Sequence, residues 1–146
     1  MIPHSAVRRC WRIVLVMAGE TDLGRMLATL TVSRREGTYV FVTVDEPVPL
    51  GHGVEAVLTE QEGITVVATI AAAERAGWAF DFEAAWLTLD VHSALEAVGL
   101  TAAFSAALGA ADIPCNVLAG FHHDHLLVPV DRVDDAIVCL ESLRQG

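Results

Sequence analysis

The densest group of chemically versatile side chains in this 146-residue sequence is the run HHDH, from His122 to His125. Three imidazoles and one carboxylate follow directly after Phe121 and offer hydrogen bonds, an aromatic surface and a negative charge. Such a set suits the cationic head of a small ligand, for example an amino or guanidinium group. The same side chains are also ordinary ligands of zinc and other transition ions, with His92 as a further candidate. A solvated turn is the third interpretation.

A glycine-led helix start is the second feature that could bind a ligand. Gly99 has no side chain to cover the amides of Gly99, Leu100 and Thr101, and a helix start carries a partial positive charge, so a carboxylate is favoured there. On the following predicted strand, Asn116 can hydrogen-bond either a ligand or neighbouring backbone. Gly120 permits a close approach to the backbone or marks a bulge.

We therefore expect one ligand site between the helix start and the polar turn. It comprises Ser93, Gly99, Leu100, Thr101, Asn116, Gly120, Phe121, His122, His123 and Asp124. We expect no catalytic residue, no cofactor and no metal, since the sequence contains no G-x-S-x-G, HExxH or CxxC motif. Lysine is absent altogether, which excludes Schiff-base chemistry and a lysine-dependent phosphate loop.

Charge and composition narrow the class of partner. The formal net charge is −10 and no basic patch is evident, which argues against binding to nucleic acid. No apolar run approaches the length of about 18 residues that a membrane span needs. Three widely spaced cysteines predict neither a disulfide framework nor a zinc knuckle, so we expect a reducing, cytoplasmic environment.

Hydrophobic periodicity predicts an α+β fold of short helices on one side of mostly antiparallel sheets. Helices are predicted near residues 23–30, 71–76, 100–111 and 133–143, and strands at 38–44, 54–59, 64–70, 83–92, 115–121 and 125–130. Residues 33–37 are predicted to be a polar link. We expect a flexible N-terminal extension (1–19), a first half (20–82) and a second half (83–146). The second half shows most of a ferredoxin-like pattern and should share strands with the first.

Several segments resemble the ACT-domain family of small ligand-sensing modules, in particular the ACT pair of aspartate kinases and a stand-alone bacterial family with two ACT-like halves. They are ETDLGRML, GTYVFVTV, EQEGITVV, VHSALEAVGLTAAF and NVLAGFHHDHLLVPV. The run AADIPCNVLAGFHHDHLLVP also resembles the ACT module of an animal arginine sensor. By that match Gly99, Phe121 and Asp124 would border the pocket. His122 and His123 depart from it, so arginine is not implied as the ligand.

The resemblance implies two intertwined ferredoxin-like βαββαβ halves and a non-catalytic regulatory protein that binds a small molecule, which we expect to be an amino acid. It also implies a homodimer and a regulated protein partner whose identity it does not give. The alternative is a metal-binding protein or metal-dependent enzyme that uses the cluster from His122 to His125. A third hypothesis is an interaction module whose sheet edge binds another protein.

Overall fold

A computed structural model describes residues 19–145 of the chain, and the predicted extension lies outside this range except for Gly19. The helices are α1 (Leu23–Thr29), α2 (Ile70–Ala76), α3 (Leu100–Ala110) and α4 (Val133–Ser142). The strands are β1 (Val32–Val44), β2 (Val54–Thr59), β3 (Ile64–Thr69), β4 (Glu83–Leu89), β5 (Asn116–Ala119) and β6 (Asp124–Pro129). The predicted order of helices and strands and the α+β class are confirmed.

The six strands form one antiparallel sheet in the order β2-β3-β1-β4-β6-β5. This order has a pseudo-two-fold symmetry. On one side of the centre of the sheet, β1 lies next to the β2–β3 hairpin. On the other side, β4 lies next to the β5–β6 hairpin. The two central strands pair with each other from Val32 opposite Leu89 to Val40 opposite Glu83. Strands from both parts of the chain therefore lie in one sheet.

The first strand is longer than predicted. Residues 33–37 belong to β1 and are not a polar link, because the backbone there continues to pair with β4 across a register shift between Arg35 and Tyr39. The polar side chains remain exposed. The Arg35 guanidinium lies over the rings of Trp86 (5.1 Å) and Tyr39 (5.8 Å) and donates a hydrogen bond to Glu55 at 2.7 Å. The aromatic surface of the sheet thus accommodates a charged strand segment.

The helices cover a single face of the sheet, as predicted. Buried residues Met26 of α1, Phe104 of α3 and Leu140 of α4 pack against the β4 side chains of that face, and Ala72 of α2 packs against the same face of β1 and β3. On the opposite face, the buried residues all come from strands. They are Tyr39, Val67, Ala84, Trp86 and Leu127. This two-sided burial explains why the central strands are apolar on both faces.

Candidate functional site

The connection between β4 and α3 (residues 90–99) is held in place by the segment that precedes α1. Strand β4 ends at Leu89, three residues earlier than predicted. The Glu20 N–H then donates to the His92 carbonyl at 2.7 Å, and the Ala94 N–H donates to the Glu20 carbonyl at 3.0 Å. These two hydrogen bonds make a parallel bridge between Glu20 and Ser93. The β4–α3 connection therefore has a defined position beside the start of α3.

Helix α3 begins after a glycine whose conformation other residues rarely adopt. Gly99 is the N-cap, with φ 106° and ψ −22°, and no side chain caps the first turn. A Cβ atom added here would lie 2.8 Å from Leu23 Cδ2 of α1. The N–H groups in the first turn of a helix have no carbonyl acceptor within that helix. The N–H groups of Leu100 and Thr101 therefore have no partner in α3, and the helix dipole adds a partial positive charge there.

The second part of the candidate site is the hairpin tip (residues 120–123), which joins β5 to β6. Gly120 donates its N–H to the His123 carbonyl at 3.0 Å and thereby closes a tight turn. A Cβ on Gly120 would approach that carbonyl oxygen to 2.8 Å. The close backbone contact that Gly120 permits is therefore a contact within the tip. Strand β6 begins directly after the tip, at Asp124.

A cavity of about 120 Å³ lies between the β4–α3 connection, the start of α3 and the hairpin tip. Its lining brings together five of the predicted residues, which are Ser93, Leu100, Thr101, Gly120 and Asp124. Sequence reasoning missed the other four lining residues, Ala94, Leu95, Ala97 and Ala119. Their position next to predicted site residues is the signal that would have indicated them.

Asp124 is the one charged residue in the lining of this cavity. Its carboxyl group is partly buried, and this desolvation raises its pKa above the usual 3.8, although His125 and His123 act in the opposite direction. A carboxylate that has lost part of its hydration gains more from a cationic partner than an exposed one does. The cavity is therefore lined by a negative group from the tip and by the first two residues of α3, whose N–H groups have no partner within the helix.

The remaining predicted residues do not line the cavity. Gly99 adjoins Leu100 but faces Leu23 of α1. Asn116 is exposed at the far end of β5, opposite Leu127 and three residues from the tip. Phe121, His122 and His123 belong to the tip, where the Phe121 side chain is 59% exposed.

These tip residues form a ring cluster with a residue of the β4–α3 connection. The ring centroid of His92 lies 4.9 Å from that of His123 and 6.3 Å from that of His122. The two tip histidines are 6.4 Å apart, and Phe121 lies edge-on to His122 at 4.9 Å. We call these four residues the histidine cluster.

Regular alternation along the strand would place His123 on the same face as His125, and the histidine cluster shows that the tip departs from this alternation. The alternation ends at Asp124, because the tight turn redirects His123 towards His92. His125 instead lies on the helix-free face of the sheet, 5.4 Å from the Trp86 ring, with Nδ1 3.0 Å from the Thr88 hydroxyl. Burial lowers the pKa of His125 from 6.5, and nearby His123 lowers it further.

The described part of the chain offers little support for metal chemistry. Within residues 19–145, no three His, Cys, Asp or Glu side chains are arranged to hold a metal ion. The imidazoles of the histidine cluster approach one another as tilted or edge-on rings. In the same range, no helix has the length and apolar character to span a membrane.

Two larger surface grooves lie elsewhere on the molecule. One of about 520 Å³ is lined mainly by β1 and residues 79–81, and its single charged residue is Asp81. The other, of about 480 Å³, lies beside α1 and includes Glu20, Arg25, Asp90 and His92. Both grooves are more open than the smaller cavity, and the first turn of α3 lines neither of them.

Comparison with known proteins agrees with this fold. Two ACT-domain family models match residues 18–85 and 81–142. A Vibrio cholerae protein, described as of unknown function and a possible transport protein, is 36% identical. The match covers 84% of this chain and 96% of that one, with a TM-score of 0.76. The chain belongs to the ACT-domain family. Its two matched domains are of a regulatory, ligand-binding and non-catalytic type.

Other solved structures share the fold of this ACT protein at low identity. An Agrobacterium tumefaciens protein is 18% identical over 79% of this chain and 89% of its own, with a TM-score of 0.64. The regulatory subunit of aspartate kinase from Thermus flavus is 7% identical over 77% and 96%, with a TM-score of 0.57. No curated protein sequence matches the chain.

Proposed function

We propose that this ACT protein is a regulatory protein that binds one small amino acid in the cavity between α3 and the hairpin tip. The ligand carboxylate would accept hydrogen bonds from the free amides of Leu100 and Thr101, and the ammonium group would pair with Asp124. The observation that supports this proposal is that a single cavity is lined by Asp124 and by the first two residues of α3.

The size and lining of the cavity favour a ligand with a short, uncharged side chain. A volume of about 120 Å³ corresponds to about four water molecules, well below the roughly 300–1,000 Å³ of pockets for drug-sized ligands. No cationic side chain lines the cavity to balance a second carboxylate, while Leu95 and Leu100 present apolar surface. Long cationic ligands such as arginine should therefore bind worse than alanine or serine.

The pseudo-two-fold symmetry supports one site per chain. The connection from β1 to β2 (residues 45–53) occupies the position that α3 occupies between β4 and β5, and it contains no helix. The tip of the β2–β3 hairpin, including Glu62, thus has no helix start facing it. We expect a binding stoichiometry of one amino acid per chain.

The proposal includes a homodimer in a reducing, cytoplasmic environment. Edge strands β2 and β5 present unpaired backbone groups and exposed apolar side chains, with Leu58 at 45% and Val117 at 37% exposure. Cys115 and Cys139 are free thiols. Ligand binding would order the tip and shift an assembly or partner equilibrium to the extent that affinity differs between the two states.

Isothermal titration of the full chain with each of the twenty amino acids at pH 8 tests the binding. We expect a small neutral amino acid to bind, and its methyl ester and N-acetyl derivatives to bind at least tenfold more weakly, because each loses one charge-assisted interaction. Asp124→Asn should weaken binding by about 10- to 100-fold. Glu62→Gln, at the tip of the other hairpin, is the matched control and should bind as wild type.

The proposal is wrong if none of the amino acids binds at millimolar concentration, or if Asp124→Asn binds as tightly as the unmodified chain. Light scattering coupled to size exclusion, with and without the amino acid that binds, measures the assembly. A monomer at every protein concentration would contradict the homodimer while leaving the ligand site intact.

A further inference from the structure

The histidine cluster connects the two walls of the cavity. His92 directly precedes Ser93 on the β4–α3 connection, while His122 and His123 lie between Gly120 and Asp124 on the tip. The close ring contact between His92 and His123 is therefore a contact from one wall to the other. A repulsion between these two rings therefore acts between the two walls of the cavity.

Both acidic and basic side chains lie around the cluster. Asp90, Glu20 and Arg25 line the groove that His92 also lines, and Glu96 of the β4–α3 connection is exposed. Glu20 is already occupied, because its carboxylate accepts hydrogen bonds from two backbone N–H groups and lies 3.8 Å from Arg25. On the tip side the neighbours are Asp124 and His125, of which Asp124 faces the cavity.

We propose that protonation of the histidine cluster opens the cavity and releases the bound amino acid, so that the protein binds its ligand above about pH 7 and loses it on acidification. This inference rests on the amino-acid site proposed above. Histidine changes charge between about pH 5 and 8. When His92 and His123 are both neutral, their rings pack together. When both are cationic, two like charges about 5 Å apart repel each other across the cavity.

The first experiment measures affinity for the amino acid that binds at pH 8, using the full chain from pH 8 down to about pH 5.5. We expect wild type to lose about four- to tenfold in affinity, which is the effect of two unit charges about 5 Å apart at an effective dielectric constant of roughly 50–80. His92→Gln keeps a polar side chain of similar length but removes one charge, and it should lose less than threefold. His52→Asn, an exposed histidine in the β1–β2 connection, should behave as wild type.

The second experiment needs no ligand. Imidazole resonances of the free protein are followed by NMR during a pH titration, together with amide hydrogen exchange at the tip. We expect the tip amides of the wild-type protein to exchange faster at low pH than the same amides of the His92→Gln variant under the same conditions.

The outcomes separate the two proposals. If no amino acid binds, the proposed function fails, and the ligand-free experiment still decides whether protonation opens the tip. If an amino acid binds with the same affinity at both pH values, or more tightly in acid, the proton control is refuted and the site stands. Equal tip exchange in wild type and His92→Gln would likewise overturn it.

Discussion

Replacement of Gly99 by alanine tests whether the start of α3 depends on a backbone conformation that only glycine adopts easily. At φ 106° this residue lies beyond the left-handed region near φ 50–70° that other residues visit, and such strain costs roughly 1–3 kcal/mol. The added Cβ would also meet Leu23 Cδ2 at 2.8 Å. Because that atom ends a flexible side chain, we expect a total loss of about 2–3 kcal/mol of unfolding free energy.

Two further glycines separate strain from contact. Gly77, at the end of α2, has φ 71° and no atom within 4 Å of an added Cβ, so Gly77→Ala reports the strain alone, about 1 kcal/mol. Gly109, within α3, has helical backbone and open space around it, so Gly109→Ala should stabilise the protein by up to about 1 kcal/mol.

Urea unfolding followed by circular dichroism measures all three variants on one scale. The expected order of stability is Gly109→Ala above wild type, then Gly77→Ala, then Gly99→Ala. The reasoning about Gly99 would be refuted if Gly99→Ala were as stable as Gly109→Ala, since neither strain nor contact would then exist at that position. Equal losses for Gly99→Ala and Gly77→Ala would show that Leu23 moves away without cost.

Three other results are expected. Burial raises the pKa of the Cys115 thiol from 9.0 to about 11. At pH 8, iodoacetamide should therefore modify Cys115 about 100-fold more slowly in the folded protein than in the urea-unfolded chain. Equal rates would contradict this burial. The pKa of His125 is lowered from 6.5, so the native state binds fewer protons than the unfolded state, and stability should fall as pH drops below 6.5; His125→Gln should flatten this dependence. Phe104→Ala should cost about 3–5 kcal/mol, against less than about 0.5 for exposed Leu50→Ala, and similar losses would place Phe104 outside the core.

The order of helices and strands was predictable because each element has local signals. Asp22 caps α1 by accepting from the Arg25 N–H, and Gly77 ends α2 in the left-handed conformation. The N-terminal part of β1 was not predictable. Its residues 33–37 are polar and exposed, and the partner that makes them a strand is β4, about 50 residues later in the chain.

The candidate site was predictable in its parts but not in its arrangement. Gly99 and Asp124 have residue types that indicate a helix start and a charged turn, whereas Asn116 has a suitable side chain at the wrong end of β5. The contact between His92 and His123 depends on the backbone bridge between Glu20 and Ser93. No local pattern in the sequence indicates the bridge, because Glu20 and Ser93 are over 70 positions apart.

The pairing of β1 with β4 at the centre of the sheet has a consequence for how the molecule can be taken apart. The short stretch of residues 77–82 connects the part of the chain that contains β1 to the part that contains β4. Most of the attraction between these two parts comes from the pairing of β1 with β4 and from shared apolar surface. A nick in that stretch should leave a particle that stays assembled. Either fragment alone would present a long unpaired apolar strand to solvent and would aggregate, whereas co-expressed fragments should reconstitute the native protein.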